Sequence, residues 1–415
     1  MNGTWAQIAE TSTARIYGLF TGLLSLFITA RILGPEGQGI LTAVIVWVRM
    51  FASFGGLSLG QVVQHRFQEN KSESWLPGTL GTLLMVSVVV TLLTGAAVSL
   101  IWGADASLFK EIPPAVLAIG LIMLPFVIWE DYGSSLLILG NRLRTYNVAQ
   151  FIGRTTGLLT LVILIVWMDM NLVGAITAHV SGQVILASIA LVALSAMTPS
   201  RPFFSAVEAK ALLGGSARLH LNTIGAFLLS QSTILMLSHL ATQEEVGWYA
   251  LAYQTVSVML LIPQSATLVL YGKMAAAGPN GIWPEQKKIV IRVMAFLTVL
   301  SAAAYFAAPG LALLAGEKFI PSVDLFRLLL PVLLGMSLAQ LMTNQWIGRG
   351  LFVSTTILTL GTALLNIFLN YFLIPRFGVH GAVWSMLAVY AGLAVMVQLA
   401  FSFWCEKEWG KGRKK

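Results

Sequence analysis

Arg49 is the residue from which chemistry can be argued first. It stands in Val44-Ile-Val-Trp-Val-Arg-Met-Phe-Ala-Ser-Phe54, about eleven residues into an apolar stretch. A cation at that depth in a bilayer costs at least ~2.5–3.5 kcal/mol unless it faces water, a partner or a ligand. Guanidinium presents paired donors that match two phosphate oxygens. Two readings stand side by side: an anion contact in an aqueous cavity, or an ion pair with Glu130 or Asp131 that locks helices together. Glu130 and Asp131 follow Pro125 by five and six residues, where a proline loosens the backbone bonds of a helix. Neighbouring carboxylates on a helix point about 100° apart, so one can face a cavity while the other pairs. They suit binding of H⁺ or Na⁺ that couples to transport, or a structural salt bridge to Arg154 or Arg142. Arg15, Arg154, Arg218 and Arg292 fall near the inner ends of apolar stretches. Each suits snorkelling to the interface, and together they suit a basic vestibule for an anionic headgroup. His179 and His220 read as packed, hydrogen-bonded residues, and Asn366 and Asn370, four apart, share one helix face and read as interhelical contacts.

Other chemistries lack their residues. No Gly-x4-Gly-Lys-Ser/Thr phosphate loop occurs. No Cys/His group has metal-ligand spacing, and the single Cys405 excludes an intramolecular disulfide. Neither a cofactor nor a metal is expected, and no catalytic set is assigned. No long outer loop carries the paired acids and histidines of a glycan polymerase or ligase.

The elements that must position these residues are membrane spans. Hydrophobic residues make up 57% of the 415-residue chain and charged residues 10%, against about 25% charged in soluble domains. Uncharged runs such as Gly78–Trp102 and Val246–Gly272 exceed the roughly 18 residues that mark a span. They lack the short alternation of barrel strands, which predicts an all-α polytopic membrane protein. About twelve spans are expected, at 14–33, 38–63, 78–102, 113–139, 147–168, 172–197, 214–239, 245–272, 289–314, 323–347, 351–374 and 379–404. Pro125 and Pro263 should bend the fourth and eighth of these.

The net charge of +8 matters through its placement rather than as a sign of nucleic acid. With both termini inside, fifteen Lys and Arg residues fall on cytoplasmic connections and the tail, and four (Arg31, Lys110, Lys318 and Arg376) fall outside. The positive-inside rule therefore predicts cytoplasmic termini. The N-terminus shows no signal-peptide pattern. The predicted organisation is a six-helix bundle over 1–200, a cytoplasmic linker over 201–213, a second bundle over 214–404 and a basic tail over 405–415.

A repeat supports that division. Ala30-Arg-Ile-Leu-Gly-Pro-Glu-Gly-Gln-Gly-Ile-Leu41 has a weaker copy in Leu240-Ala-Thr-Gln-Glu-Glu-Val-Gly-Trp-Tyr-Ala-Leu-Ala252, and Gly39 aligns with Gly247 at an offset of 208. Leu139-Gly-Asn-Arg aligns with Ile347-Gly-Arg at about the same offset, and Gly174 aligns with Gly381 at 207. Six spans per half give both halves one orientation, related by an axis along the membrane normal, with a substrate path between the copies.

These residues carry a family resemblance over essentially the whole chain. Ala30-Arg-Ile-Leu-Gly-Pro-Glu-Gly-Gln-Gly, Asn141-Arg-Leu-Arg-Thr-Tyr-Asn, Val246-Gly-Trp-Tyr-Ala-Leu-Ala-Tyr and Leu261-Ile-Pro with Leu270-Tyr-Gly-Lys-Met-Ala resemble the polysaccharide-exporter, O-antigen flippase-like branch of the multidrug/oligosaccharidyl-lipid/polysaccharide exporter superfamily. The chain departs from that pattern at Gly272, where proline is usual, and at Leu240-Ala-Thr, where a fuller Leu-Gly-Pro turn is usual. The resemblance implies two six-helix bundles in a V that open alternately to each side. It implies a flippase moving a polyprenyl-diphosphate-linked oligosaccharide from inner to outer leaflet of a bacterial cytoplasmic membrane, without enzymatic activity. It further implies basic cavity residues, an H⁺ or Na⁺ gradient, membrane lipid, and polymerase or glycosyltransferase partners. Two alternatives stand: a multidrug/cation antiporter of the same superfamily, which should need cavity acids more than arginines, and a membrane-embedded glycosyltransferase, polymerase or ligase.

Overall fold

The structure, a computed structural model, describes residues 2–63, 76–104, 109, 111–140, 142–198 and 200–412. The loop holding Arg66 and Lys71, and Arg413, Lys414 and Lys415 of the basic tail, lie outside the described residues. In the first half of the chain the helices are α1 (Asn2–Gly55), α2 (Leu76–Ala104), α3 (Pro114–Ile122), α4 (Leu124–Leu139), α5 (Leu143–Leu161) and α6 (Asn171–Ser195). They continue as α7 (Ala206–Leu240), α8 (Gln243–Ser257), α9 (Leu261–Ala307), α10 (Pro309–Ala315), α11 (Ile320–Gly348), α12 (Phe352–Met386) and α13 (Val395–Gly412). No strand occurs among the described residues.

Ten helical stretches among the described residues are long and apolar enough to cross a membrane. Two of them, Ile16–Gly55 with 40 residues and Phe352–Gly410 with 59, would run about 60 and 90 Å if straight. A hydrocarbon layer of about 30 Å accommodates neither as one span. Each is broken by a glycine in the left-handed region, Gly34 at φ 70° and Gly378 at φ 55°. Reading each as two spans gives twelve, as the hydropathy pattern predicts. Pro35 follows the first break, where its fixed φ and missing N–H suit the first position of a new helix.

Near both prolines expected to bend their spans the α-helix is interrupted. Between α3 and α4 the chain turns at Met123, with Pro125 in the first turn of α4. A single 3₁₀ turn, Val258–Leu260, separates α8 from the proline-bearing start of α9.

The segment 201–213, read from sequence as a linker, is helical from Ala206 onward. Ala206-Val-Glu-Ala-Lys-Ala-Leu-Leu is rich in strong helix formers, and the Ser205 hydroxyl accepts the Glu208 N–H at 3.3 Å. The irregular residues before it are clipped to the start of α2. Phe203 donates its N–H to the Pro77 carbonyl at 3.2 Å, Ser205 donates its N–H to Thr82 Oγ1 at 3.1 Å, and Thr79 Oγ1 donates to Glu208 Oε2 at 2.9 Å.

The chain forms two compact units. The first comprises residues 1–33 and 40–227, and the second residues 34–39 and 228–415. In the first, α5 and α6 approach closely because Gly153 and Gly182 face each other's carbonyl oxygens, with Gly157 beside them. Small residues at a crossing let helix backbones approach within a bilayer, where no hydrophobic force draws helices together. In the second, Trp283, Met342, Phe401 and Cys405 form a buried cluster joining α9, α11 and α13.

The offset of 207 recurs in the backbone. Asn171, with φ 48°, opens α6 as Gly378, with φ 55°, opens the second part of α12. A Cβ on Gly378 would strike the Glu245 carboxylate, which accepts the Val379 N–H at 2.9 Å. Gly378→Ala is therefore expected to destabilise the protein by roughly 1–2 kcal/mol, read as a lowered thermal midpoint in detergent. Asn171→Gly at the equivalent place should leave the midpoint near that of the parent.

Candidate functional site

The close crossing of α5 and α6 determines what can meet inside the first unit. Gln150 and Arg154 lie four apart on α5, and His179 and Gln183 lie four apart on α6, so each pair occupies one face of its helix. Between them stands the Glu130–Asp131 step of α4. The two carboxylates divide as adjacent helical residues should. Glu130 turns into the amides: Gln150 Nε2 donates to Glu130 Oε1 at 2.8 Å, and Gln183 Nε2 donates to Glu130 Oε2. Gln183 Nε2 also reaches the Phe126 carbonyl at 3.5 Å, which ties α6 to the loosened backbone near Pro125.

Asp131 points elsewhere. It lies within electrostatic reach of Arg49, and Arg49 lies within reach of His179 as well. Asp131 and His179 are surrounded by protein on most sides, yet both keep solvent-accessible surface, as Arg49 does. No salt bridge between Arg49 and an acid is closed among the described residues.

Arg154 joins the same network through one amide. Its Nε donates to Gln150 Oε1 at 3.2 Å, so Glu130, Gln150 and Arg154 form a chain rather than the direct salt bridge weighed from sequence. The Arg154 guanidinium lies over Gly18, where a Cβ would displace it. Tyr17 and Thr155 share a hydrogen bond of 2.6 Å beside it. Arg154 is thus held across helices rather than extended alone toward an interface.

Arg292 is an exposed side chain of α9 in the second unit. The side chains of Arg15 and Arg218 lie outside the described residues. His220 sits apart, with Nδ1 3.4 Å from the Ser58 hydroxyl, which donates to Thr223 Oγ1 at 2.7 Å. Asn366 and Asn370 share one face as their spacing predicts. Both are buried, and both donate to Thr233 Oγ1, at 3.0 and 3.3 Å.

Gln150 and Gln183 are the residues that sequence reasoning missed. Their spacings of four from Arg154 and His179 were visible, but only the charged or titratable member of each pair attracts notice. Among the described residues no group of three His, Cys, Asp or Glu side chains is placed to hold a metal ion. The arrangement offers two accessible cations' worth of guanidinium, Arg49 and Arg154, each linked to a carboxylate without being quenched by a direct ion pair.

Comparison with known proteins sets this geometry in context. A model of the family described as "Polysaccharide biosynthesis protein" matches residues 4–275. A search of curated proteins returned no match. Among solved structures, the chain is similar to an inward-facing multidrug resistance MATE family transporter of the MOP superfamily, with TM-score 0.74, 14% identity and coverage of 99% of each chain. It is similar to the lipid II flippase MurJ in an inward closed conformation, with TM-score 0.74 and 14% identity over 95% of this chain and 87% of that one. A third similar structure is a MOP superfamily transporter from Pyrococcus furiosus described by a reverse polarity of its binding pocket, with TM-score 0.63 and 16% identity over 99% and 96%. Likeness at this identity concerns the fold.

Replacing Gln150 by Leu removes the amide that satisfies both a Glu130 oxygen and Arg154 Nε. Leaving such groups unpaired costs about 1–3 kcal/mol. Gln150→Leu should lower the thermal midpoint in detergent, while Gln150→Glu should perturb it through a second carboxylate beside Glu130.

Proposed function

Because the chain belongs to the polysaccharide biosynthesis protein family, we propose that it is a flippase for an oligosaccharide carried on polyprenyl diphosphate. It moves this lipid from the inner to the outer leaflet of a bacterial cytoplasmic membrane during surface polysaccharide biosynthesis, with no bond made or broken. Both termini face the cytoplasm, residues 1–200 and 214–404 act as the two moving bundles, and 201–213 joins them. The observation that carries this reading is the setting of Arg49: an accessible guanidinium on the part of α1 that follows Gly34, within electrostatic reach of Asp131 and His179, with Arg154 linked to the same step of α4.

The coupling follows from charge. A diphosphate and the Asp131 carboxylate compete for Arg49. When Asp131 takes up H⁺ or Na⁺ its charge is neutralised, and Arg49 is left to bind diphosphate oxygens in paired geometry. When the cation leaves, the carboxylate attracts Arg49 again and the lipid is released. Arg154 offers a second contact to the same headgroup, held in place by Gln150. Glu130, already supplied with two amide donors, orients the network and stands as the second coupling acid. Arg15, Arg218 and Arg292 complete the candidate anion contacts along the inner entrance. Glycosyltransferases would supply the lipid-linked oligosaccharide and a polymerase would consume it.

Arg49→Ala is expected to abolish surface glycan export while leaving the amount of protein in the membrane unchanged, and a deletion strain should accumulate polyprenyl-linked oligosaccharide. Full export by Arg49→Ala would overturn the anion site. Drug sensitivity without that accumulation would instead favour the cation antiporter.

A further inference from the structure

Asp324 and Arg327 are charged residues of the second unit that the transport reading does not use. They stand three apart on α11 and so share one helix face. That face is the uncovered one. Ile320, Asp324 and Pro331 along it are exposed and Arg327 is half-buried, whereas Val323, Phe326 and Leu330 are buried. Arg327 is held against the end of α9. Its Nε donates to the Tyr305 carbonyl oxygen at 3.3 Å, and its guanidinium carbon lies 4.8 Å from the centre of the Tyr305 ring. Tyr305, Phe306 and Leu313 beside this turn are exposed, and the second part of α9 is among the least covered candidate spans of the described residues.

Depth follows from length. The apolar stretch Glu317–Gly348 has 32 residues, about 48 Å if straight. Centred on a hydrocarbon layer of about 30 Å, it leaves about 9 Å at each end. Asp324 then falls at the edge of that layer and Arg327 about one turn inside it. Charges at this depth meet lipid headgroups.

A mutual ion pair does not account for the two charges. Arg327 Nη1 donates to Asp324 Oδ1 at 3.3 Å, longer than the roughly 2.7–2.9 Å of a close charge-assisted bond. The Asp324 side chain is 69% exposed and that of Arg327 29%. Exposed pairs of this kind add little to stability. Among the described residues, Arg327 Nη2 and Asp324 Oδ2 make no further hydrogen bond with protein. A guanidinium fixed by Tyr305 therefore keeps N–H groups to donate, and a carboxylate one turn away keeps lone pairs to accept.

We propose that Asp324, Arg327 and Tyr305 form a binding site for a phospholipid whose headgroup carries both a phosphate and a primary ammonium. Arg327 donates to the phosphate oxygens, and Asp324 accepts the ammonium N–H. The rise between the two residues is about 4.5 Å, a distance the two-carbon bridge between phosphate and ammonium can span. The acyl chains lie along the exposed apolar face of α9. Selectivity follows from the pair of opposite charges. An anionic headgroup without an amine leaves Asp324 unanswered beside a second negative charge, and a trimethylated ammonium has no N–H to give. In the orientation proposed above the site faces the outer leaflet, and it is independent of the transported cargo.

The test titrates the full chain, purified in detergent, with phosphatidylethanolamine, phosphatidylcholine or phosphatidylglycerol of identical acyl chains, counting bound lipid by native mass spectrometry. The difference between the parent and Arg327→Gln isolates this site from other bound lipid. It should be about tenfold in affinity for phosphatidylethanolamine, the loss of one hydrogen bond to a charged group, and smaller for the other two lipids. Asp324→Asn, a change of nearly equal shape at an exposed side chain, should abolish the preference for phosphatidylethanolamine over phosphatidylglycerol. It carries the test by itself if Arg327→Gln fails to fold. Arg376→Gln, at an exposed cation elsewhere in the unit, should bind as the parent does. Water-soluble glycerophosphoethanolamine, which lacks acyl chains, should compete at least tenfold more weakly than the lipid. Equal affinity of the parent for all three lipids, or unchanged phosphatidylethanolamine binding in both variants, would overturn the site. Competition by the soluble headgroup as strong as that by the lipid would overturn the lipid as its occupant. An Arg327→Gln effect confined to phosphatidylglycerol would overturn the ammonium contact and leave a site for anionic lipid. None of these readouts involves glycan export, so the site and the proposed cargo fail separately.

Discussion

A charged side chain within a hydrocarbon layer must be surrounded by protein, water or ligand, and the first unit is arranged around meeting that demand for Arg49. The means is close approach. Gly153, Gly157 and Gly182 bring α5 and α6 together, and only at that separation do Gln150 and Gln183 both reach Glu130. With Glu130 so occupied, the next residue on α4 is left to answer Arg49. The partition of one acid to amides and the other to guanidinium follows from the helical turn between neighbours, not from any difference between Asp and Glu.

How much of this was legible in the sequence depends on the kind of information each feature needs. Spans follow from composition, because length and apolarity are properties of a segment alone. The breaks at Gly34 and Gly378 were legible from local residues, as was the turn ahead of Pro125. Arg49, Glu130 and Asp131 were legible as costly residues, since their expense is set by depth. Their partners were not. Gln150 and Gln183 are neutral amides, common in helices, and become informative only when another helix places a carboxylate between them. Arg154 shows the same limit: near a helix end it reads as a snorkelling cation, and its hold on Gln150 and its place over Gly18 exist only in three dimensions. The helical start of α7 could have been read from Ala206-Val-Glu-Ala-Lys-Ala, but two prolines before it drew the eye to a linker.

The two copies of the repeat start the helix after their first corner by different chemistry and with different backbone dihedrals, φ 70° at Gly34 and φ -79° at Thr242. At the first corner, Gly34 turns the chain and Pro35 begins the next helix. At the corresponding position Thr242 supplies a side-chain cap, and Glu245 completes the box. The departure of Leu240-Ala-Thr from a Leu-Gly-Pro turn is thus a substitution of hydrogen bonding for fixed dihedrals. At the later corner the roles reverse, with Asn171 tolerating a left-handed φ in one copy and Gly378 adopting it in the other.

Gly39 and Gly247 meet reciprocally: a Cβ on Gly39 would strike the Gln243 carbonyl oxygen, and one on Gly247 the Pro35 carbonyl oxygen, each pair 208 apart. A surface that touches its own copy through the same residues is what a homodimer of half-length chains would build, and in such an ancestor one glycine would have served both sides. In a single polypeptide each glycine can be replaced on its own, but neither accepts a side chain without the facing backbone giving way. The chain carries, at this contact, the arithmetic of a symmetric pair.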